Sequence, residues 1–302
     1  MLDKILTALS FAYRQKVAVF RFLNILTGKA FSFKKIAALI TAFVEMFTVA
    51  IFDGGMTPLG QELNLDGYSL VFCDDFNGTS LDTENWDYRA SGPRRFGFNS
   101  ENQVSVSGGN LTIKGEYRED GEYGPGWYVG MINLKKQYCR GYFEIRCICN
   151  SGKDFWSAFW LQGSNPYDHE KSNGGIGSVE IDIFESMGTE VSNIFKRNCI
   201  YTTVHCNGGD DDVENIDSLT IGKFKGNNIY KEFNTYGLEW TEDEYIFYLN
   251  GVETGRTSFS KGVCQNEEMV IVSLEVPSNV SYEPNSGHET EFIVDYVKIW
   301  QK

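Results

Sequence analysis

From Tyr68 to the C-terminus the chain is cut into short apolar and aromatic runs separated by turn residues, with no long helical periodicity. The runs include Leu70–Cys73, Leu111–Tyr117, Gly141–Cys149, Ser178–Phe184, Tyr236–Trp240, Tyr245–Leu249, Val270–Val276 and Phe292–Trp300. Many short strands at this spacing build an all-β sandwich or barrel. Asn250-Gly251 sits between Tyr245–Leu249 and Val252-Glu253, a dipeptide that accepts positive φ at both centres of a tight hairpin. Gly108-Gly109-Asn110 marks another turn ahead of Leu111. No internal repeat or low-complexity tract interrupts the pattern.

Charge divides the chain. The first 35 residues carry seven basic residues and one acid, whereas residues 61–302 carry 38 acids against 20 basic residues. So acidic a body excludes a nucleic-acid binder, which needs clustered Lys and Arg. Such a split points to an anchor or targeting segment ahead of a soluble domain. Leu2, Ile5, Leu6, Leu9, Tyr13, Val17, Phe20 and Leu23 recur at helical spacing among Lys4, Arg14, Lys16 and Arg21, the pattern of a basic amphipathic helix on an anionic membrane. The run Ile36–Phe52 is broken only by Thr41, Glu45 and Thr48. As a helix it is about 26 Å long, at the short limit for a bilayer, and Glu45 penalises insertion. A signal-anchor, an internal secretion signal, and helices lying on the membrane or packed on the domain all fit. Membrane association through residues 1–52 is the expectation, with the body extracellular or at the cell surface. Asp53–Gly60 reads as a linker, giving a helical appendage over 1–60 and a second unit over 61–302. The seven cysteines form no CxxC and are odd in number, so buried free thiols are preferred over a disulfide framework.

Residues 178–188 read Ser-Val-Glu-Ile-Asp-Ile-Phe-Glu-Ser-Met-Gly. On a strand Glu180 and Asp182 share one face and the apolar residues take the other. Glu185 falls at an odd offset from Asp182. A β-bulge near Ile183–Phe184 returns it to the face of the other two. Three carboxylates in a row repel, so stability does not explain them. With the bulge, Glu180 and Glu185 stand about 13 Å apart at the backbone. Their side chains can then bring the carboxyls to about 5–6 Å, the spacing of a retaining glycosidase. Asp182 between them can tune both.

Glu180-Ile-Asp-Ile-Phe-Glu185 resembles the E-x-D-x-x-E signature of glycoside hydrolase family 16. Phe72-Cys-Asp-Asp-Phe-Asn-Gly78, Leu81 to Trp86, Ser157-Ala-Phe-Trp-Leu161, Tyr236-Gly-Leu-Glu-Trp240 and Val294 to Trp300 resemble other family segments in the family's order. The resemblance implies a β-jelly roll of two bent antiparallel sheets, concanavalin A-like, with a cleft across the concave face. It implies Glu180 as nucleophile, Glu185 as acid/base and Asp182 as the assisting carboxylate. Trp156 and Trp160 match aromatic positions beside the cleft. Trp127 offers a further platform, with core packing an equally good reading. His205 lies where the family often places a histidine near the row. No cofactor is required, but some members hold a structural calcium, whose ligands correspond here to Asp75, the Gly109 carbonyl and Asp295.

The extra residue within the signature groups the chain with laminarinase-, agarase- and carrageenase-like members. An endo-acting retaining hydrolase of β-1,3-glucan follows, with mixed β-1,3/1,4-glucan next and algal galactans (agarase or porphyranase type) behind. Sulfated carrageenan fits an acidic body poorly. A cell-wall transglycosylase uses the same residues, and a glycan-binding module shares the sandwich without needing the carboxylates. The expected partner is a polysaccharide substrate, and the chain is expected to be a monomer. Gly163–Gly177 reads as a long insertion shaping the cleft rim.

Overall fold

A computed structural model of the chain describes residues 33–163, 179–188, 193–206, 217–258, 263–276 and 289–302. These residues form the expected sandwich. One sheet has seven strands, in the order Asp217–Lys225, Cys199–Cys206, Val179–Met187, Trp156–Gly163, Glu268–Glu275, Met131–Leu134 and Trp86–Tyr88. The other has eleven. At its centre the last strand of the chain, Glu289–Gln301, lies between Gly141–Ile148 and Asn110–Arg118. Ser69–Asp74 also pairs with that last strand, antiparallel. Except for one short parallel pair, Gly97–Asn99 with Gly126–Val129, the named strand pairs are antiparallel.

Alternation along the strands explains the layers. In Val179–Met187 the side chains of Ile181 and Phe184 enter the inter-sheet core, and Phe184 packs on Tyr236 of the facing sheet with ring centroids 4.2 Å apart. Such aromatic contacts add to the area they bury. Along Trp156–Gly163, Phe159 and Leu161 face the same core, whereas Ala158 and Trp160 form a small separate apolar cluster with Met131 and Ile271 on the sheet's other side. Both sequence-predicted hairpin turns appear: Asn250-Gly251 has φ of 51° and 74°, and Gly108-Gly109 has 60° and 77°. Among the described residues, Cys73, Cys139, Cys147 and Cys149 carry free thiols; Cys147, Cys149, Cys199 and Cys264 are buried.

The expected run at 36–52 is a helix, Phe33–Phe52. No helix among the described residues is long and apolar enough to cross a membrane. The amphipathic pattern over residues 2–23 and most of the insertion before the signature strand lie outside the described residues. Asp53–Gly60, expected as a linker, is bound into the domain. Met56 forms a parallel bridge with Phe224 on the edge strand Asp217–Lys225, with Met56 N donating to Lys223 O and Lys225 N to Met56 O, both at 2.8 Å. Asp53 accepts from the fully buried Lys223 through both its backbone carbonyl (3.2 Å) and its carboxylate (3.3 Å). Val49 and Met56 are part of the main core. An edge strand exposes unpaired backbone groups, and a bridging segment covers them. The boundary near residue 60 is therefore a change in charge and composition, not a gap in packing.

Candidate active site

The signature strand is bulged where the sequence requires it. Against the strand Trp156–Gly163, Phe159 pairs with Phe184 and Trp160 with Asp182, which leaves Ile183 as the extra residue. On the other side the register shifts between Asp182 and Glu185 as well. Thr202 Oγ1 holds the Ile183 carbonyl at 3.2 Å. A bulge bends its strand and re-aims the side chains beyond it. Here it returns Glu185 to the outer face, where it sits opposite Ala158, as Asp182 sits opposite Trp160 and Glu180 opposite Gln162.

One cavity on the outer face of the seven-stranded sheet is lined by Glu180, Asp182 and Glu185, with Trp156 and Trp160 beside them. Ser273 and Glu275 come from the neighbouring strand, and Arg94 and Arg95 stand at its rim. Trp160 is held by a 3.1 Å bond from its Nε1 to Ser273 Oγ. Trp156 is half-buried, with the Arg95 guanidinium 5.0 Å from its ring centroid. Trp127 is not in this cavity. It is 3% exposed, edge-on to Tyr117 and Phe155 in the inter-sheet core, so its role as a sugar platform is corrected to packing.

Hydrogen bonds hold Glu180 and Asp182 from the strands on either side. Gln162 Nε2 donates to Glu180 Oε2 at 2.8 Å, and Arg89 Nη2 donates to Gln162 Oε1 at 3.0 Å. His205 is opposite Glu180 on the next strand, with Nε2 3.0 Å from Asp182 Oδ2 and Nδ1 2.6 Å from Ser218 Oγ. Both ring nitrogens thus have an oxygen partner, which suits the doubly protonated imidazolium. Arg94 forms a two-pronged pair with Glu275, 3.0 Å on each side.

Burial pushes the Glu180 carboxyl up to about 7, assisted by the negative Asp182 and opposed by His205 and the two arginines. Burial also lifts Glu185 well above the ordinary carboxylate range, again with Asp182 adding to it. His205 moves the other way from what burial dictates: its bond to Asp182 and the nearby glutamates raise it to about 9. Environment therefore biases both glutamates toward the protonated form, with Glu180 losing its proton near neutrality. Removing the imidazolium removes a charge that favours ionised Glu180. The acid limb of any kcat/KM profile governed by Glu180 is therefore expected to move to higher pH in His205→Ala. Profiles of the two proteins with one soluble substrate measure this, and coincident acid limbs would show that His205 does not tune the row.

Of the residues that line or brace the cavity, Arg89, Arg94, Arg95, Gln162, Ser218, Ser273 and Glu275 escaped the sequence reading. Gln162 had a signal, since it is two residues past Trp160 and shares its face by strand alternation. The Arg94-Arg95 pair was visible as a basic island in an acidic body, but nothing in the sequence placed it at the cleft. Of the calcium ligands expected at Asp75, Gly109 and Asp295, the last is already engaged by a cationic side chain. Asp295 Oδ2 is 2.5 Å from Arg146 Nη1, and a guanidinium in that contact repels a dication at the same oxygen. The described His, Cys, Asp and Glu side chains that cluster closely enough to hold an ion are Glu180, Asp182 and His205, in the row itself.

Residues 70–302 match the family model described as the GH16 domain of beta-porphyranases A–D. The chain belongs to glycoside hydrolase family 16. Within this family 16 chain, 211 residues are 27% identical to endo-1,3-1,4-beta-glycanase ExsH of Rhizobium meliloti, covering 67% of the chain and 40% of that protein. Beta-porphyranase D of Zobellia galactanivorans is 29% identical over 206 residues, 62% of the chain and 46% of its own length. The chain thus spans less than half the length of these curated relatives. The fold is shared with porphyranase B of Zobellia galactanivorans, at a TM-score of 0.65 and 20% identity, over 81% of this chain and 97% of that one.

Proposed function

We propose that this family 16 domain is a retaining, endo-acting glycoside hydrolase, with Glu180 as nucleophile, Glu185 as acid/base and Asp182 as the group that holds and polarises the pair. The observation that carries this reading is the bulged strand that gathers three carboxylates into one cavity despite their repulsion. A glycan-binding module has no use for such a costly arrangement, whereas a double displacement needs it. In the first step Glu180 attacks the anomeric carbon while Glu185 protonates the departing oxygen. In the second, Glu185, now ionised, takes a proton from water as it attacks the same carbon from the vacated side. Two inversions restore the configuration. Trp156, half-buried at the cavity, offers a flat face to a pyranose.

A β-1,3-glucan or mixed β-1,3/1,4-glucan is the substrate we favour, supported by the named activity of ExsH. An algal galactan is the second reading, supported by the porphyranase family match and by the cationic rim at Arg94 and Arg95. A panel of laminarin, barley glucan, agarose and porphyran separates them, and product chain lengths separate hydrolysis from transglycosylation. Roles within the row are tested by azide rescue on an activated aryl glycoside. Glu185→Ala lacks the general base, so azide should restore turnover and yield the β-glycosyl azide. Glu180→Ala should yield the α-azide by direct displacement. NMR of the two products decides: swapped configurations reverse the assignment, and inversion by the wild type discards the retaining mechanism.

A further inference from the structure

The helix Phe33–Phe52 has two apolar faces, and the domain uses one. Ala42, Glu45 and Val49 are buried against the body. The Glu45 carboxylate accepts from the backbone N–H of Thr57, so the one acid within the run Ile36–Phe52 is turned inward and occupied. At 3.6 residues per turn, Ile36, Ile40, Phe43, Val44, Phe47 and Ile51 form a stripe about 180° from that docked face. Each is between 42% and 61% exposed. A second exposed apolar group lies at the helix end. Phe52 stacks on Phe195 with centroids 4.2 Å apart, and the preceding residue, Ile194, is 62% exposed. A contiguous apolar surface of this kind marks an interaction site, since scattered single residues are the norm on soluble domains.

We infer that this outer face seats the domain on an anionic lipid surface, with the helix lying in the membrane plane and its stripe at the headgroup–acyl boundary. Charge selects the occupant. The first 35 residues, which run into the helix's first turn, carry a net charge of +6, while the body behind it is strongly acidic. Anionic headgroups attract the first and repel the second, so the helix faces the lipid and the body stands off. The docked face fixes the helix's rotation, so the domain is held in one orientation and not merely tethered.

The test uses the full chain and sedimentation with vesicles of phosphatidylcholine, with and without phosphatidylglycerol. The wild type should pellet with the anionic vesicles, far less with the neutral ones, and be released by alkaline carbonate. The combined variant Ile40→Ser, Val44→Ser, Phe47→Ser replaces three exposed apolar side chains. It should keep its melting midpoint and its activity on a soluble oligosaccharide, and bind at least tenfold more weakly. The inference is overturned if the wild type stays in the supernatant, or if the variant binds equally, which would assign binding to residues 1–32 alone. Resistance to carbonate would mean spanning. A wild-type dimer that the variant converts to monomer, without vesicle binding, would mean the stripe meets another copy.

Discussion

Glu180→Gln is expected to lose turnover by about four orders of magnitude or more while melting, at pH 8, no lower than the wild type. The first half follows from removing the attacking oxygen; an amide cannot form the covalent intermediate. The second follows from burial. Glu180 titrates at about 7 in the folded chain against an ordinary value of 4.5. A group whose folded pKa lies above its unfolded one contributes fully below the unfolded value and loses that contribution as pH rises through the folded value. At pH 8 ionised Glu180 is therefore a net cost to the fold, and glutamine removes the charge while keeping the shape and an oxygen for the Gln162 amide. Turnover and a thermal melt on one sample check both halves. A folded variant with wild-type turnover would remove Glu180 from the mechanism, and a clearly lower midpoint would show that its charge is stabilising.

Asp53→Ala is expected to destabilise the domain by about 3 kcal/mol, although Asp53 is remote in sequence from every strand it serves. Lys223 is fully buried, with its Nζ 4.5 Å from the Tyr201 ring centroid and bonded to Asp53, which also meets Lys196 at 3.1 Å. Breaking a buried pair by deleting one partner typically costs about 3–5 kcal/mol, because the remaining charge stays out of water. Asp53 is partly exposed, which places the expectation at the lower end. The midpoint should fall by about 5 °C for a chain of this size. A chain beginning at Gly60 should fare worse. It also loses the buried Val49 and Met56, about 1.5–3 kcal/mol each, and bares the edge strand Asp217–Lys225. An unchanged midpoint in Asp53→Ala, or a soluble active chain from Gly60, would make residues 33–59 an ornament on a self-sufficient sandwich.

The all-β architecture was legible because strand alternation and turn chemistry are local. Asn250-Gly251 and Gly108-Gly109 announced their positive φ angles, and the odd spacing of Glu185 announced a bulge. The signature row was legible for the same reason, since one strand carries all three carboxylates. What escaped was contributed by other strands. Ser218 and Glu275 reach the row through strand pairings that no periodicity identifies, and Arg94 reaches it from the end of the other sheet through its pair with Glu275. Trp127 shows the converse: an aromatic residue reads alike whether it faces a cleft or a core, and only the sheet's registry decides. The docking of Asp53 and Met56 was hidden for a related reason. A Gly- and Pro-containing stretch has the composition of a linker whether it hangs free or lies along an edge. The helix beside it was visible as an apolar run, but the split between its docked and exposed faces depends on where the body sits.

The position of the final strand bears on the order in which the chain can fold as it is made. Glu289–Gln301 fills the middle of the eleven-stranded sheet, touching strands that begin near residues 69, 110 and 141. Until it leaves the ribosome that sheet is two separate halves, with Phe143, Ile145, Leu111 and Ile113 lacking the neighbour between them. Contacts so distant in sequence close slowly. The apolar run Ile36–Phe52 is the reverse case: it emerges early, and its landing strand, Asp217–Lys225, is not yet synthesised. During translation at about 5–20 residues per second, that leaves roughly 10 to 40 seconds in which both of its faces are uncovered. The chain thus makes its most apolar run well before the strand that run docks on, and the two halves of the eleven-stranded sheet before the strand that joins them.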